Sequence, residues 1–274
     1  VDHISKGVVM TMVQSSRKGR AGVLASLMLS LPAAAQGQES FFEPFYTLNQ
    51  QRWYVSDGWA NGPYQNCLWS AGQVSTSQGR LRIGFAAIPA GDRAYSCGEI
   101  QTKQAFGHGT FEASVKTPAG SGLNSAFFTY IGPTQGSPHD EMDFEILTRD
   151  TRTVETTTFV NGRSGDGFVG SGEKHALPHP SNWDYIDYAV TWEPDEVRFY
   201  VDRKLVRTIT DPAMIPSNPQ RIFFSLWGSD TLIDWMGPFE RPTGPIYMQV
   251  DWVAYTKLGE SCAFEASVLC AEAN

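Results

Sequence analysis

Apolar and polar residues alternate with a period of two along much of this chain, and this pattern constrains the fold more than any other feature. Leu81, Ile83 and Phe85 alternate with other residues, and segments 110–116 and 249–255 show the same pattern. Because successive side chains of a strand point to opposite faces, each segment predicts a strand with one buried face. We therefore predict an all-β protein built from antiparallel strands, as a sandwich or barrel.

Turn residues and length indicate how these strands are organised. Segment 196–210 predicts a hairpin that turns near Asp202 and Arg203, and 26 glycines and 16 prolines supply further turns. A chain of 274 residues with 41% hydrophobic residues is long enough to bury one large core. The sequence has no internal repeat and no low-complexity linker, so we predict one domain over residues 36–258, followed by a tail over residues 259–274.

The N-terminal segment has the pattern of a secretory signal peptide. Arg17, Lys18 and Arg20 precede the apolar stretch 21–31, and three alanines end the segment at residues 33–35. A basic stretch, a short apolar stretch and an Ala-x-Ala end are typical of export signals. We predict a signal peptide over residues 1–35 and a secreted protein, extracellular or periplasmic; the alternative is an N-terminal core helix.

The four cysteines are expected to form disulfides. An even number of cysteines in an oxidising compartment favours disulfides, and no spacing matches the C-x-x-C of a zinc ribbon. Four cysteines allow three pairings. Since the two pairs lie far apart in sequence, we favour Cys67–Cys97 and Cys262–Cys270, the second of which would clip the tail.

Net charge argues against two classes of partner. The formal charge is −8, whereas a general binder of nucleic acid or of anionic membranes needs a basic face. No apolar run approaches the roughly 20 residues that span a bilayer. We therefore expect no binding to nucleic acid or membrane. Separately, we expect a monomer.

Three carboxylates alternate with apolar residues in one short segment. Glu141, Asp143 and Glu145 are separated by Met142 and Phe144, so a strand would present all three on one face. Like charges on one face repel, and crowding drives their pKa values apart. This suits chemistry that needs one ionised and one protonated carboxyl, such as glycoside hydrolysis.

A retaining glycosidase needs its two carboxyls about 5–5.5 Å apart. Cα atoms four residues apart in a strand are about 13 Å apart, so Glu141 and Glu145 must lean towards each other across a concave sheet. A calcium site or a solvated acidic face is the alternative, although calcium loops normally contain glycine and polar residues. Tyr130, Trp227 and Trp235 favour a carbohydrate cleft, because aromatic rings stack on sugars, although each alone is more typical of a core.

The segment Glu141-Met142-Asp143-Phe144-Glu145 resembles the E-x-D-x-E signature of glycoside hydrolase family 16. The resemblance extends over residues 42–255, and within the family it is to lichenases and more closely to rhizobial endo-β-1,3-1,4-glycanases that cleave succinoglycan. The matching stretches are residues 57–59, 66–69, 97–99, 106–112, 122–130 and 225–227.

The resemblance implies a β-jelly-roll sandwich of two antiparallel sheets with a concave cleft for a polysaccharide. It implies that Glu141 is the nucleophile, Glu145 the general acid/base and Asp143 a residue that tunes the pair. No cofactor is implied for catalysis. A structural calcium ion is implied, with the Asp251 side chain and the carbonyl of Pro44 among its ligands; the third is the carbonyl of Gly79.

The resemblance also implies a set of substrate-binding positions. Glu99, Tyr130, Trp227 and Trp235 match cleft residues of lichenases. Other positions differ: the lichenase tryptophan, arginine, asparagine and tyrosine correspond to His139, Gln101, Thr157 and Phe159. The lost hydrogen-bonding groups disfavour plain lichenan as the substrate.

These features lead to one hypothesis and three alternatives. The hypothesis is a secreted retaining endo-β-glycanase that cleaves an exopolysaccharide, namely succinoglycan. The alternatives are a lichenase that acts on mixed-linkage β-1,3-1,4-glucan, a carbohydrate-binding sandwich without catalysis, and a structural sandwich whose acidic strand binds calcium.

Overall fold

The computed structural model describes residues 39–164 and 172–272, and the predicted signal peptide at residues 1–35 lies outside these ranges. The strands are β1 (Phe41–Pro44), β2 (Trp53–Val55), β3 (Cys67–Trp69), β4 (Val74–Ser77), β5 (Arg80–Ala86), β6 (Tyr95–Thr102), β7 (Gly109–Lys116), β8 (Leu123–Ile131), β9 (Asp140–Leu147), β10 (Thr153–Val160), β11 (Arg163–Ser164), β12 (Glu173–Ala176), β13 (Ile186–Trp192), β14 (Val197–Val201), β15 (Lys204–Ile209), β16 (Arg221–Gly228) and β17 (Ile246–Lys257). The helices are α1 (Ile233–Met236), α2 (Val268–Glu272) and the 3₁₀ turns Ala71–Gln73, Pro133–Gln135 and Pro212–Met214. Within the described ranges, no helix is long and apolar enough to cross a membrane.

The strands form two layers. The cleft sheet has the order β2-β6-β16-β8-β9-β10, with β11 and β12 also paired to β10. The outer sheet has the order β4-β5-β17-β7-β13-β14-β15, and β1 also pairs with β17. All these pairs are antiparallel, which confirms the predicted sandwich; β3 and β6 form a parallel pair where the two sheets join.

The core lies between the sheets and fixes the orientation of β9. Met142, Phe144 and Ile146 are buried, and the Phe144 ring lies 5.3 Å from Phe199 and 5.4 Å from Tyr188 of the outer sheet. Removing these large apolar side chains from water is the main favourable contribution to such a core. Because alternate residues of a strand face opposite ways, the three carboxylates of β9 face away from the core.

Two disulfides join the four cysteines. Cys67–Cys97 links β3 to β6, and Cys262–Cys270 closes a short loop in the tail. Both predicted pairings are therefore confirmed.

The tail is attached to the outer sheet through a buried carboxylate. Glu112 on β7 accepts hydrogen bonds from Ser267 Oγ at 2.7 Å and from Val268 N at 2.9 Å, where α2 begins. Val268 packs against Ala189 and Tyr200. Burial raises the pKa of Glu112 to about 7, although both hydrogen bonds lower it.

Candidate active site

Strand register brings side chains from several strands into rows across the concave face. Tyr130 lies opposite Glu141, and Phe128 lies opposite both Asp143 and Phe223. Directly opposed residues of antiparallel strands share a face, so β16, β8 and β9 contribute to the same surface. The carboxylates of β9 consequently lie beside aromatic rings.

A cavity of about 740 Å³ lies along this surface. Eight of the predicted site residues line it: Glu99, Gln101, Tyr130, His139, Glu141, Asp143, Glu145 and Trp227. The structure therefore brings together the three predicted catalytic residues and most of the predicted substrate-binding residues.

The two other predicted binding residues lie beside the lining. Thr157 lies opposite Asp143 on β10. Trp235 on α1 donates its Nε1–H to Glu155 at 2.9 Å, and its ring is 6.2 Å from that of Trp227. Sequence reasoning missed Glu155, although it lies opposite Glu145 and adds a further carboxylate to this face.

Glu141 has a direct contact with His139. The two side chains approach within 2.6 Å between Nε2 and Oε2. The imidazole stacks on Phe159, with ring centroids 5.2 Å apart and planes at 15°, and meets the edge of Tyr130. The Gly162 N–H donates to the His139 carbonyl at 2.8 Å, which fixes the backbone before β9. His139, predicted as a substrate-binding residue, thus contacts the predicted nucleophile.

Glu145 has a different environment. It accepts a hydrogen bond from Asn124 Nδ2 at 3.2 Å. The pKa of Glu145 is raised to about 8, mainly by burial and secondly by the charge of Glu141, while the hydrogen bond from Asn124 lowers it. At neutral pH this carboxyl is mostly protonated, because its charged form is poorly solvated.

Asp143 lies between the two glutamates and is 3% exposed. Burial, and to a lesser extent the charges of Glu141 and Glu145, raises the pKa of Asp143 well above the usual range for an aspartate. A protonated Asp143 can donate a hydrogen bond to Glu141, as the predicted tuning role requires.

Glu99 on β6 is a further buried carboxyl in the cleft. Ser56 Oγ donates to its Oε1 at 2.6 Å. Burial raises the pKa of Glu99 to about 7, with an opposing effect of the Ser56 hydrogen bond and a further increase from Glu141. This group can accept from or donate to a sugar hydroxyl near neutral pH.

Sequence reasoning missed a loop that forms one wall of the cavity. Trp59, Asn61 and Tyr64 line it, and the Tyr64 ring is 5.8 Å from Trp227. Gln65 follows this loop and is buried, with its Nε2 donating to the Cys67 carbonyl at 3.1 Å. The available signal was a tryptophan and a tyrosine in a Gly-, Asn- and Pro-containing segment just before a cysteine.

Two of the predicted calcium ligands make other contacts in this structure. Asp251 Oδ1 is 3.0 Å from Arg80 Nε, and the Pro44 carbonyl accepts from Tyr46 N at 2.8 Å. Gly79 offers only a backbone carbonyl. Within the described part of the chain, no group of three His, Cys, Asp or Glu side chains could hold a metal ion. Calcium prefers six to eight oxygen ligands, more than the three predicted here. The calcium ion stays a prediction.

The chain matches known proteins over most of its length. The family model "Glycosyl hydrolases family 16" matches residues 61–254. The chain is 49% identical over 232 residues to the endo-1,3-1,4-beta-glycanase ExoK of Rhizobium meliloti, covering 85% of this chain and 84% of that protein. It is 36% identical over 254 residues to a beta-glucanase of Bacillus amyloliquefaciens, covering 92% and 99%.

Solved structures of beta-glucanases have the same fold. The Bacillus licheniformis beta-glucanase matches with a TM-score of 0.74 and 35% identity, covering 81% of this chain and 100% of that one. A prokaryotic beta-1,3-1,4-glucanase (lichenase) from a mouse hindgut metagenome matches with a TM-score of 0.75 and 30% identity, covering 81% and 100%.

Proposed function

Since the chain belongs to glycosyl hydrolases family 16 and is a glycoside hydrolase, we propose that it is a retaining endo-β-1,3-1,4-glycanase with Glu141 as nucleophile and Glu145 as acid/base. One observation carries the proposal. These glutamates share one face of β9 and line the same cavity, yet Glu145 is buried beside Asn124 whereas Glu141 contacts His139. Two carboxyls in unlike environments suit the two roles.

In the first step, Glu145 donates its proton to the leaving glycosidic oxygen. Its pKa of about 8 keeps it protonated at neutral pH. The ionised Glu141 attacks the anomeric carbon, and the glycosidic bond breaks as the glycosyl–enzyme ester forms. Asp143, between them, can stabilise the charge on Glu141 by hydrogen bonding.

In the second step, Glu145 becomes the base. Forming the ester removes the charge of Glu141, which is the second cause of the raised Glu145 pKa, so that pKa falls. The Glu145 carboxylate then accepts a proton from water, whose oxygen attacks the anomeric carbon and releases Glu141. Two inversions give net retention.

The proposed substrate is a branched β-1,3-1,4-linked exopolysaccharide of the succinoglycan type. The 49% identity to the endo-1,3-1,4-beta-glycanase supports this class over the beta-glucanases at 36–37%. The aromatic rings of Trp59, Tyr64 and Trp227 offer apolar faces on which sugar rings can stack. Thr157 and Phe159 lack the hydrogen-bonding groups of the lichenase positions that they resemble.

We also propose that the protein is secreted. All four cysteines are paired in disulfides, which persist in oxidising compartments outside the cytosol. The basic and apolar pattern of residues 1–35 supports export independently.

The test compares purified enzyme on succinoglycan, lichenan and laminarin. A fall in viscosity ahead of the release of reducing ends indicates internal cleavage, and NMR of the first products gives the anomeric configuration. We expect retention and the fastest cleavage on succinoglycan. Faster cleavage of lichenan would favour a lichenase, the second candidate, which the structural likeness to beta-glucanases supports. An inverted product would rule out the proposed mechanism.

A further inference from the structure

We propose that Arg221 forms a subsite for a carboxylate group carried by the polysaccharide, so that the cleft selects an acid-substituted β-glycan. The inference rests on the proposed function, because it concerns the same cleft. It adds a residue that neither the motif nor the resemblance identified.

Arg221 begins β16 on the concave face. It lies opposite Tyr130, and Tyr130 lies opposite Glu141. Neighbouring strands are about 4.8 Å apart, so the backbone of Arg221 is about 10 Å from that of the proposed nucleophile. This separation corresponds to a subsite close to the cleavage point. A polymer that crosses the strands can therefore contact Arg221 and Glu141 together.

The guanidinium of Arg221 contacts an uncharged side chain of the cavity lining. Arg221 Nη1 donates to Gln101 Oε1 at 3.0 Å, and Gln101 lines the cavity. Tyr54 lies opposite Gln101 on the edge strand and is 45% exposed. An exposed aromatic ring therefore lies on the strand beyond Gln101, where a sugar ring can stack.

The charge of Arg221 has no counter-charge in the described parts of the chain. No carboxylate there lies within ion-pair distance of it, whereas Lys174 pairs with Glu155 at 3.1 Å and His139 contacts Glu141 at 2.6 Å. The Nε atom of Arg221 is shielded from solvent and has no hydrogen-bond partner. A ligand cannot reach this shielded atom, so the contact that we propose is with the Nη groups of the same guanidinium.

A carboxylate fits the N–H groups of Nη1 and Nη2 that Gln101 does not accept. The guanidinium presents five N–H donors in a planar fork, and a carboxylate can accept two of them in parallel. A cation is also needed here for a second reason. The proposed nucleophile Glu141 acts as a carboxylate in the same cleft, and its negative charge repels an acidic polymer unless a positive group lies near the substituent.

The experiment uses one acidic exopolysaccharide before and after its carboxyl groups are reduced to alcohols with carbodiimide and borohydride. Because the backbone is unchanged, the ratio of kcat/KM on the two polymers isolates recognition of the carboxylate. We expect wild type to prefer the carboxylated polymer about 10- to 100-fold, as for a charge-assisted hydrogen bond, with less preference at high salt. Arg221→Gln should lose most of this preference, mainly through KM.

Two further variants complete the test. Arg221→Lys keeps the charge but lacks the fork, so it should retain an intermediate preference. Arg82→Gln removes a cation from the outer sheet, where Arg82 lies 3.8 Å over the Tyr247 ring, and should keep the wild-type preference. If Arg221→Gln does not fold, the wild-type ratio and Arg221→Lys decide the matter.

The outcomes separate the two proposals. A wild-type enzyme without preference for the carboxylated polymer, or an Arg221→Gln or Arg221→Lys variant with the full wild-type preference, overturns the Arg221 subsite while the glycanase function stands. A wild-type enzyme that cleaves neither polymer nor lichenan overturns the proposed function itself.

Discussion

The Nε2 atom of His139 lies 2.6 Å from Oε2 of Glu141, so the imidazole contacts the proposed nucleophile directly. An ionised carboxylate only accepts hydrogen bonds, and Nε2 must therefore donate when Glu141 is ionised. We expect His139→Phe to lower kcat about 10- to 100-fold, the effect of one charge-assisted hydrogen bond, with little change in KM. Steady-state kinetics on a soluble polymer measures both constants.

His139→Gln is the matched control for that contact. A glutamine amide N–H can reach the position of Nε2, so this variant should retain more activity than His139→Phe. Equal kcat values for wild type and His139→Phe, with unchanged melting temperatures, would show that the contact does not assist catalysis.

Glu141 and Glu145 should be indispensable in different ways. Glu141→Gln removes the nucleophile and should abolish turnover of every substrate. Glu145→Gln removes general acid help, worth roughly 10²–10⁴-fold, so its loss should be large on polymer but small on an aryl β-glycoside with a good leaving group. Asp143→Asn should cost less than either change. The roles would be reversed if Glu141→Gln, and not Glu145→Gln, kept activity on the aryl glycoside.

The pH profile should report the environment of Glu145. Its pKa is raised to about 8, and the acid is active when protonated, so kcat/KM should fall as pH rises through that value. Asn124→Leu removes a hydrogen bond that lowers this pKa, and the basic limb should move to higher pH. Glu155→Gln removes a charge that raises it, and the limb should move to lower pH. Shifts of the same sign would contradict this account.

Sequence periodicity was enough to predict β9 and the face that carries its carboxylates, because both depend on local alternation. The cavity wall at Trp59 and Tyr64 could not be predicted in the same way. That wall depends on contacts between distant parts of the chain, since Tyr64 reaches Trp227 and Gln65 reaches the backbone at Cys67. A local pattern contains no information about such partners.

The position of Arg221 illustrates the same limit. Alternation along β16 assigns it a face, but the neighbours that make it relevant are on other strands. Tyr130 and Gln101 come beside it only through the register of β8 and β6. Contacts of predicted ligands also depend on distant neighbours, as at Asp251, where Arg80 lies 3.0 Å away.

Chelation tests the calcium ion that the resemblance implies. If calcium binds Asp251, a chelator removes it and leaves Arg80, at 3.0 Å, as the counter-charge, so the melting temperature of wild type should fall. Thermal unfolding of wild type and of Asp251→Ala measures this directly. A fall in wild type on chelation that is absent in Asp251→Ala would establish the calcium ion that the resemblance implies.

The Cys67–Cys97 disulfide should affect both stability and the cleft. It closes a loop with a sequence separation of 30, and the chain-entropy relation gives about 3–4 kcal/mol. Gln65 Nε2 donates to the Cys67 carbonyl and so holds the loop that carries Tyr64. Replacing both cysteines by serine should therefore lower the melting temperature and raise KM for polymer.

The matched control is the double serine variant of the tail disulfide, with a separation of 8, which should lose less stability and keep KM. An unchanged KM in the first variant, measured below its melting temperature, would show that the loop is held by its own contacts.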